Sequence, residues 1–279
     1  MDGPVTPQTI CLSYGETAAV VDAAAGGRVS SLVIDGRELL VQHASDIFHW
    51  GSFPMAPWAG RVRGGRFEFG GTVVRLPINA PPNSLHGLVT DRIWTVVAMD
   101  TQSVSLSVDL GQDRADPWPW PCQVRQHISL SQNRMDFQLA VIADQTMPAD
   151  IGWHPWFVRD LPTGAGHAAC ELEVSSGQIY LNDAEGLPSG ELGPPPPPPW
   201  DYCFVGLEQP PRLRWPGVLE LTVNSECDHW VLYDKEPAGI CVEPWTGPPN
   251  SLNGPERRIV TADQPLEATM TWMWRRLEP

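Results

Sequence analysis

Lysine is nearly missing from this sequence: Lys235 is its one example in 279 residues. Arginine brings the basic total to 18 against 33 acidic residues, a formal net charge of −15, and no run of basic residues occurs. A phosphate backbone is gripped by clustered Lys and Arg, so nucleic acid is excluded as a partner class. The same deficit removes any attraction to an anionic membrane, and the surplus acid reads as a solvated surface. A CxxC pair is also lacking. The six cysteines (Cys11, Cys122, Cys170, Cys203, Cys227, Cys241) are scattered, as expected of reduced, mostly buried thiols in a reducing compartment. No apolar run approaches the roughly 20 residues that cross a bilayer. Met1-Asp2-Gly3-Pro4 shows neither the basic nor the apolar segment of a secretory leader. The expectation is a cytoplasmic protein with no membrane partner.

Long segments of 3.6-residue periodicity, tandem repeats and linkers are absent too, and 30 prolines with 25 glycines leave room for many turns but few helices. What is present is alternation. Val104, Leu106, Val108 and Leu110 interleave with Ser103, Ser105, Ser107 and Asp109, the pattern of a half-buried strand. Val124 to Leu130 repeats it with His127 pointing away from Ile128 and Leu130. Met135, Phe137, Leu139 and Val141 continue it, as do Leu219, Leu221 and Val223, and Leu266, Ala268, Met270, Trp272 and Trp274. Gly70-Gly71 between Arg66–Phe69 and Thr72–Leu76 predicts a hairpin, and Ala18 to Leu40 reads as two strands split at Gly26-Gly27. Pro194 to Pro199 must be extended and cannot enter a sheet interior; it reads as a stiff surface loop, with a ligand for a proline-binding domain as the alternative. These features predict one all-β domain over residues 1–279, a large antiparallel β-sandwich.

Thirteen tryptophans outnumber seven phenylalanines and four tyrosines, and several stand beside polar residues in short, glycine-rich or proline-rich segments. Gly152-Trp153-His154-Pro155-Trp156-Phe157 sets a histidine between two indoles. Pro57-Trp58-Ala59-Gly60-Arg61, Asn83-Ser84-Leu85-His86-Gly87 and Val242-Glu243-Pro244-Trp245-Thr246-Gly247 repeat the mixture. Imidazole exchanges protons near neutral pH, and indole faces suit the apolar face of a sugar. A lone histidine among aromatics is usually a packed side chain, and a Glu at a strand end is usually solvated. Glu243, however, lies between Gly239-Ile240-Cys241-Val242 and Pro244-Trp245, where desolvation would raise its pKa and strengthen it as a base. The four segments are expected to meet in one pocket.

In series, Phe53-Pro54-Met55-Ala56-Pro57-Trp58-Ala59-Gly60-Arg61-Val62, Leu76-Pro77-Ile78-Asn79, Asn83-Ser84-Leu85-His86-Gly87, Gly152 to Phe157, Asp201-Tyr202-Cys203-Phe204 and Glu243-Pro244-Trp245-Thr246-Gly247-Pro248-Pro249-Asn250 resemble the aldose 1-epimerase (mutarotase) family. The likeness runs from about Ala18 to the last strand; the Asp201 match is the shortest. It implies a galactose mutarotase-like supersandwich with an open sugar-binding groove, no metal and no organic cofactor. It further implies Glu243 as general base on the anomeric hydroxyl and His154 as general acid on the ring oxygen, so that the ring opens, C1–C2 rotates and closure gives the other anomer. His86 would bond near the ring oxygen, and Arg61 and Asp201 would hold hydroxyls. Trp156 is taken as the sugar-contacting indole, with Trp58 and Trp245 as rivals for that role. A charged Glu243 is expected to raise the His154 pKa.

The chain departs from the family pattern at Gly60, where many members have Asn before the arginine, and at Trp156, where many have Tyr. It also lacks the Asn often found in the stretch after Phe157. Three other readings stay open. Arg61 and Arg63 would suit a hexose 6-phosphate; the fold would also serve a non-catalytic sugar-binding protein; and two histidines with a glutamate make a common zinc set, although no HExxH spacing occurs.

Overall fold

The structure, a computed structural model, describes residues 9–278 apart from 114, 165 and 176; the Met1–Pro4 segment lies outside the described residues. Strands dominate, and helical backbone among the described residues is confined to three short 3₁₀ turns, Ala23–Ala25, Arg63–Gly65 and Ser251–Asn253. The alternating segments are all strands: Ser103–Leu110, Cys122–Ser131, Arg134–Ala143, Leu219–Ser225 and Leu266–Arg276. They join one 8-stranded sheet in the order Thr95–Met99, Ser103–Leu110, Cys122–Ser131, Arg134–Ala143, Leu266–Arg276, Leu219–Ser225, Arg212–Trp215, Glu171–Glu173.

The second sheet has 11 strands. Its centre runs Arg28–Ile34, Ser52–Met55, Gly152–Val158, Gly239–Trp245, His229–Tyr233, Asp201–Val205, and its neighbouring strands pair antiparallel. The two-strand reading of Ala18 to Leu40 corresponds to Thr17–Asp22 and Arg28–Ile34. Between them Asp22 caps a 3₁₀ turn with bonds from the Ala24 and Ala25 amides. Gly26 follows at φ +78, where an added Cβ would fall 2.1 Å from the Thr90 carbonyl oxygen, so only glycine fits. The Gly70-Gly71 hairpin pairs Arg66–Phe69 with Thr72–Arg75. The proline run lies outside the strands and is largely exposed.

The sheets pack face to face through aromatic contacts. Phe137 of the smaller sheet meets Trp153 of the larger at 6.3 Å between ring centroids, and Trp272 meets Phe157 at 5.0 Å. Trp153, Phe157, Ile240, Val242, Trp230, Leu232 and Phe204 all belong to this core. Side chains alternate along a strand, so residues at the intervening positions of the same strands face outward. Phe53, Met55, Trp156, Cys203, Val231, Cys241 and Trp245 form a second apolar cluster there, the floor of a cleft. The cysteines are free, and Cys122, Cys203, Cys227 and Cys241 are buried.

The alternation makes a test. Trp272→Ala removes a fully buried ring that touches Phe137 and Phe157 and is expected to lower unfolding free energy by about 3–5 kcal/mol in urea titrations. Met273→Ala, on the exposed face of the same strand, should change it by no more than about 0.5 kcal/mol.

Candidate active site

Register brings the two central groups together. Gly152 pairs with Trp245 and Trp156 with Cys241 across adjacent antiparallel strands. His154 lies midway between the first members of these pairs and Glu243 midway between the second, so both project from the cleft face at the same level. His154 Nε2 stands 3.4 Å from Glu243 Oε1, and the two side chains are 8% and 1% exposed. They line a cleft of about 340 Å³ whose wall also includes Arg61, His86, Asp201, Trp156 and Trp245. All four motif segments reach this one cleft.

The imidazole is stacked against two aromatic rings. Phe53 stacks on it at 4.9 Å and 27°, Trp156 at 5.4 Å and 12°. Trp156 is only 2% exposed, and its Nε1 donates to the Phe48 carbonyl at 2.7 Å. Its indole stacks on His154 and braces the histidine while lining the cleft. Trp58 belongs to the inter-sheet core, and Trp245 is 3% exposed against His86. Partly exposed rings at the cleft are instead Phe48, Tyr202 and Tyr233.

Gly60 has a steric reason. At φ +65, a Cβ there would sit 2.5 Å from the Trp245 indole, so Trp245 occupies the room a side chain would need. The next residue, Arg61, is exposed at the rim, paired in register with Leu85. His86 follows at φ +58, an uncommon conformation for a non-glycine residue. Its amide donates to the Gly60 carbonyl at 2.9 Å. Gly87 must be glycine, because a Cβ would lie 2.2 Å from the Ala56 carbonyl oxygen. The asparagines of the motifs act as fasteners. Asn79 accepts from the Leu85 amide and donates to its carbonyl, at 2.8 and 3.0 Å. Asn250 Oδ1 accepts from the Arg63 amide at 3.0 Å, while the Asn250 amide donates to the Arg61 carbonyl at 2.8 Å.

Two buried ionisable residues outside the expected set hold the frame. The Arg28 guanidinium, fully buried, donates to the carbonyls of Ala25, Ile47, Trp50 and Thr90 and lies 3.9 Å over Trp50 and 5.1 Å over Phe53. Burial lowers its pKa to about 10. It thereby links the loops on one side of the cleft to the ring that backs His154. The only sequence signal for it was an arginine opening an otherwise apolar strand. Asp150 accepts from the Thr246 hydroxyl and from Ser251 Oγ at 2.9 Å, and its amide donates to the Pro57 carbonyl at 2.9 Å. It ties three motif segments at the strand ends.

Electrostatics differ from expectation at His154. Its pKa is lowered well below the ordinary 6.5, chiefly by burial, with smaller contributions from His86, His49 and the Arg28 guanidinium. The charge on Glu243 does not reverse this, because burial also raises the Glu243 pKa well above the ordinary range, with Asp201 adding to the effect. Burial thus favours the neutral forms of both. Burial, then the Arg61 charge, pushes His86 down to about 3, leaving a neutral hydrogen-bonding ring. Asp201 stands 3.8 Å from Lys235 Nζ at the cleft edge. Arg63 does not line the cleft; its guanidinium is paired with Asp183 and Glu185. Metal-ligating types converge at one place among the described residues, where atoms of His154, Cys241 and Glu243 lie within 4.8 Å of one another. That buried set, with a thiol among its donors, is of the type that suits a thiophilic ion such as zinc.

A protein-family model described as aldose 1-epimerase matches residues 8–250. The Escherichia coli protein named uncharacterized protein YphB is 25% identical over 248 residues, covering 81% of this chain and 83% of that one. Mouse galactose mutarotase is 31% identical over 142 residues, 49% of this chain and 40% of its own. Among solved structures, a galactose mutarotase-like protein from Clostridium acetobutylicum superposes with a TM-score of 0.83 at 17% identity, covering 96% of this chain and 95% of that one. Galactose 1-epimerase from Lactobacillus acidophilus gives 0.77 at 17%, covering 96% and 94%. At these identities the structural matches speak for the fold.

Asp150 yields a pH prediction. Burial raises its pKa to about 6 in the folded protein, against about 3.9 unfolded. The folded state therefore binds the proton more tightly, and this contribution to stability is present below about pH 4 and lost as pH rises to about 6. Relative to Asp150→Asn, the wild-type unfolding free energy should fall by about 3 kcal/mol across that interval. Parallel urea titrations of the two proteins at closely spaced pH values measure it.

Proposed function

From membership of the aldose 1-epimerase family, to which this chain belongs, we propose that it interconverts the α and β anomers of an unphosphorylated aldose such as glucose or galactose. The observation that carries this reading is the 3.4 Å contact between His154 Nε2 and Glu243 Oε1 in an open, polar-rimmed cleft. A carboxyl and an imidazole at that spacing serve two oxygens bonded to the same carbon, O1 and O5 of a pyranose.

Glu243 takes the proton of the anomeric hydroxyl while His154 delivers one to O5, and the C1–O5 bond breaks to leave the aldehyde. Rotation about C1–C2 followed by the reverse transfers closes the other anomer. The pair holds one transferable proton throughout. Carboxylate with imidazolium, and carboxylic acid with imidazole, differ only in where that proton sits. Burial favours the second arrangement, which is the one present beside the open-chain sugar. The resting pair first passes its proton to His154 across the short gap; discharging the ion pair onto the substrate then recovers the cost of burying it. The transition state, in which the ion pair is already partly discharged, shares in that recovery, and this lowers the barrier from the ion-pair form. His86, held neutral, donates to or accepts from the ring oxygen side, and Arg61 and Asp201 hold hydroxyls.

The charge distribution supports a neutral sugar. Arg61 is the sole Arg or Lys among the described residues lining the cleft, and Arg63, the second group a phosphate would need, is occupied by Asp183 and Glu185. No cofactor is required by this chemistry.

Polarimetry on freshly dissolved α-D-glucose and α-D-galactose tests the reaction. Glu243→Gln and His154→Asn should each lower kcat/KM by about 10²–10⁴-fold; wild-type turnover in either variant would remove that residue from the mechanism, and sugar binding without any acceleration would make the protein a sugar binder. A second outcome follows from the shifts. Adding a second proton to the pair means protonating a histidine whose pKa is lowered, so the acid limb of the kcat/KM profile should lie below the 6.5 of free imidazole. Removing the one proton means ionising a carboxyl whose pKa is raised, so no loss is expected near the ordinary carboxylate value.

A further inference from the structure

One polar pair at the cleft has no part in the proton transfer. Asp46 and His49 both line it, on the loop that precedes Ser52–Met55. Asp46 Oδ2 holds His49 Nδ1 at 3.1 Å, and its other carboxylate oxygen accepts from the Phe48 amide at 2.9 Å. The His49 ring lies over Trp156, with centroids 5.1 Å apart, and its side chain is 44% exposed. The loop itself is pinned: the Ile47 and Trp50 carbonyls accept from buried Arg28, and the Phe48 carbonyl accepts from Trp156. An exposed imidazole is thus carried on a fixed backbone.

Position and chemistry point the same way. Trp156 is two residues along its strand from His154, an advance of about 7 Å, so a group above Trp156 faces the part of a pyranose remote from the reacting carbon. In the tautomer whose Nδ1–H donates to Asp46, Nε2 is an acceptor. No protein group among the described residues bonds that nitrogen. Trp156 is itself almost wholly buried, and the exposed His49 ring above it supplies a polar atom at this end of the cleft.

We propose that the Asp46–His49 pair is a specificity-determining contact, in which His49 Nε2 accepts a hydrogen bond from a hydroxyl on the side of the sugar away from C1. This deepens, and rests on, the epimerase reading of the same cleft. His49 is a binding group here and takes no proton in the reaction. Asp46 acts through it, by fixing the tautomer and the ring orientation.

The test is a panel of hexoses, each lacking the hydroxyl at carbon 3, 4 or 6, assayed by kcat/KM with wild type, His49→Phe, His49→Gln and Asp46→Asn. At one carbon, wild type should lose about three- to tenfold on removal of the hydroxyl, the worth of one hydrogen bond. His49→Phe should show no loss at that carbon, His49→Gln, which keeps an acceptor, should retain part of it, and Asp46→Asn should reduce it. The discrimination should appear in KM, with kcat little changed. A merely structural role would lower activity on every sugar alike and leave the ratios untouched. Identical ratios in wild type and His49→Phe at all three carbons would overturn the proposal. Saturation-transfer NMR on the same panel separates the two readings. Hydroxyl-dependent binding that vanishes in His49→Phe sustains this contact even if no epimerisation is seen, whereas epimerisation with unaltered ratios refutes the contact alone. Absence of binding to every hexose would refute it as well.

Discussion

Two strands far apart in the chain, Gly152–Val158 and Gly239–Trp245, are hydrogen-bonded in the register Gly152 to Trp245 and Trp156 to Cys241. Because side chains alternate with period two, a slip of one residue would turn His154 or Glu243 into the inter-sheet core and a cleft-floor residue would lose its place. The register is specified from both faces. Trp153, Phe157, Ile240 and Val242 must reach the core, while Trp156, Cys241 and Trp245 must cover the outer cluster. Apolar packing on two sides thus determines the position of two groups that would be costly to bury alone.

The same packing sets their chemistry. Phe53 and Trp156 stack on the imidazole, which stands with Nε2 3.4 Å from the Glu243 carboxyl. Desolvation then moves both groups toward neutrality, and the expected influence of a charged Glu243 on His154 gives way to it. Arg28 backs the arrangement from beneath with a buried cation whose donors end on backbone carbonyls rather than on a carboxylate. Its planar fork reaches three segments at once, which a lysine could not do. A short motif can therefore carry roles its neighbours in sequence do not share: in Thr246-Gly247-Pro248-Pro249-Asn250, Thr246 and Asn250 fasten other strands, while Glu243, three residues earlier, faces the cleft.

Departures from the family pattern are compensated nearby. Gly60 is paired with the bulk of Trp245, and Trp156 with an acceptor at Phe48. Both positions are thereby committed to packing rather than to polar groups facing the cleft. The polar complement of this cleft therefore lies more on its rim, at Asp46, His49, Arg61 and Asp201.

Much was legible in the chain itself. Alternation in Ser103–Leu110 and its successors specified strands because a half-buried strand must alternate, and the glycine pairs marked turns because few other residues adopt positive φ there. The motif segments named Arg61, His86, His154, Asp201 and Glu243, since short combinations of His, Glu, Gly and Pro leave a local signature. Which indole faces a ligand, which arginine is occupied, where burial outweighs a neighbouring charge, and the reach of Asp46 and His49 into the cleft were decided by tertiary structure alone. Those properties depend on distances between segments a hundred or more residues apart, and on the water excluded when they meet, neither of which is written in local order.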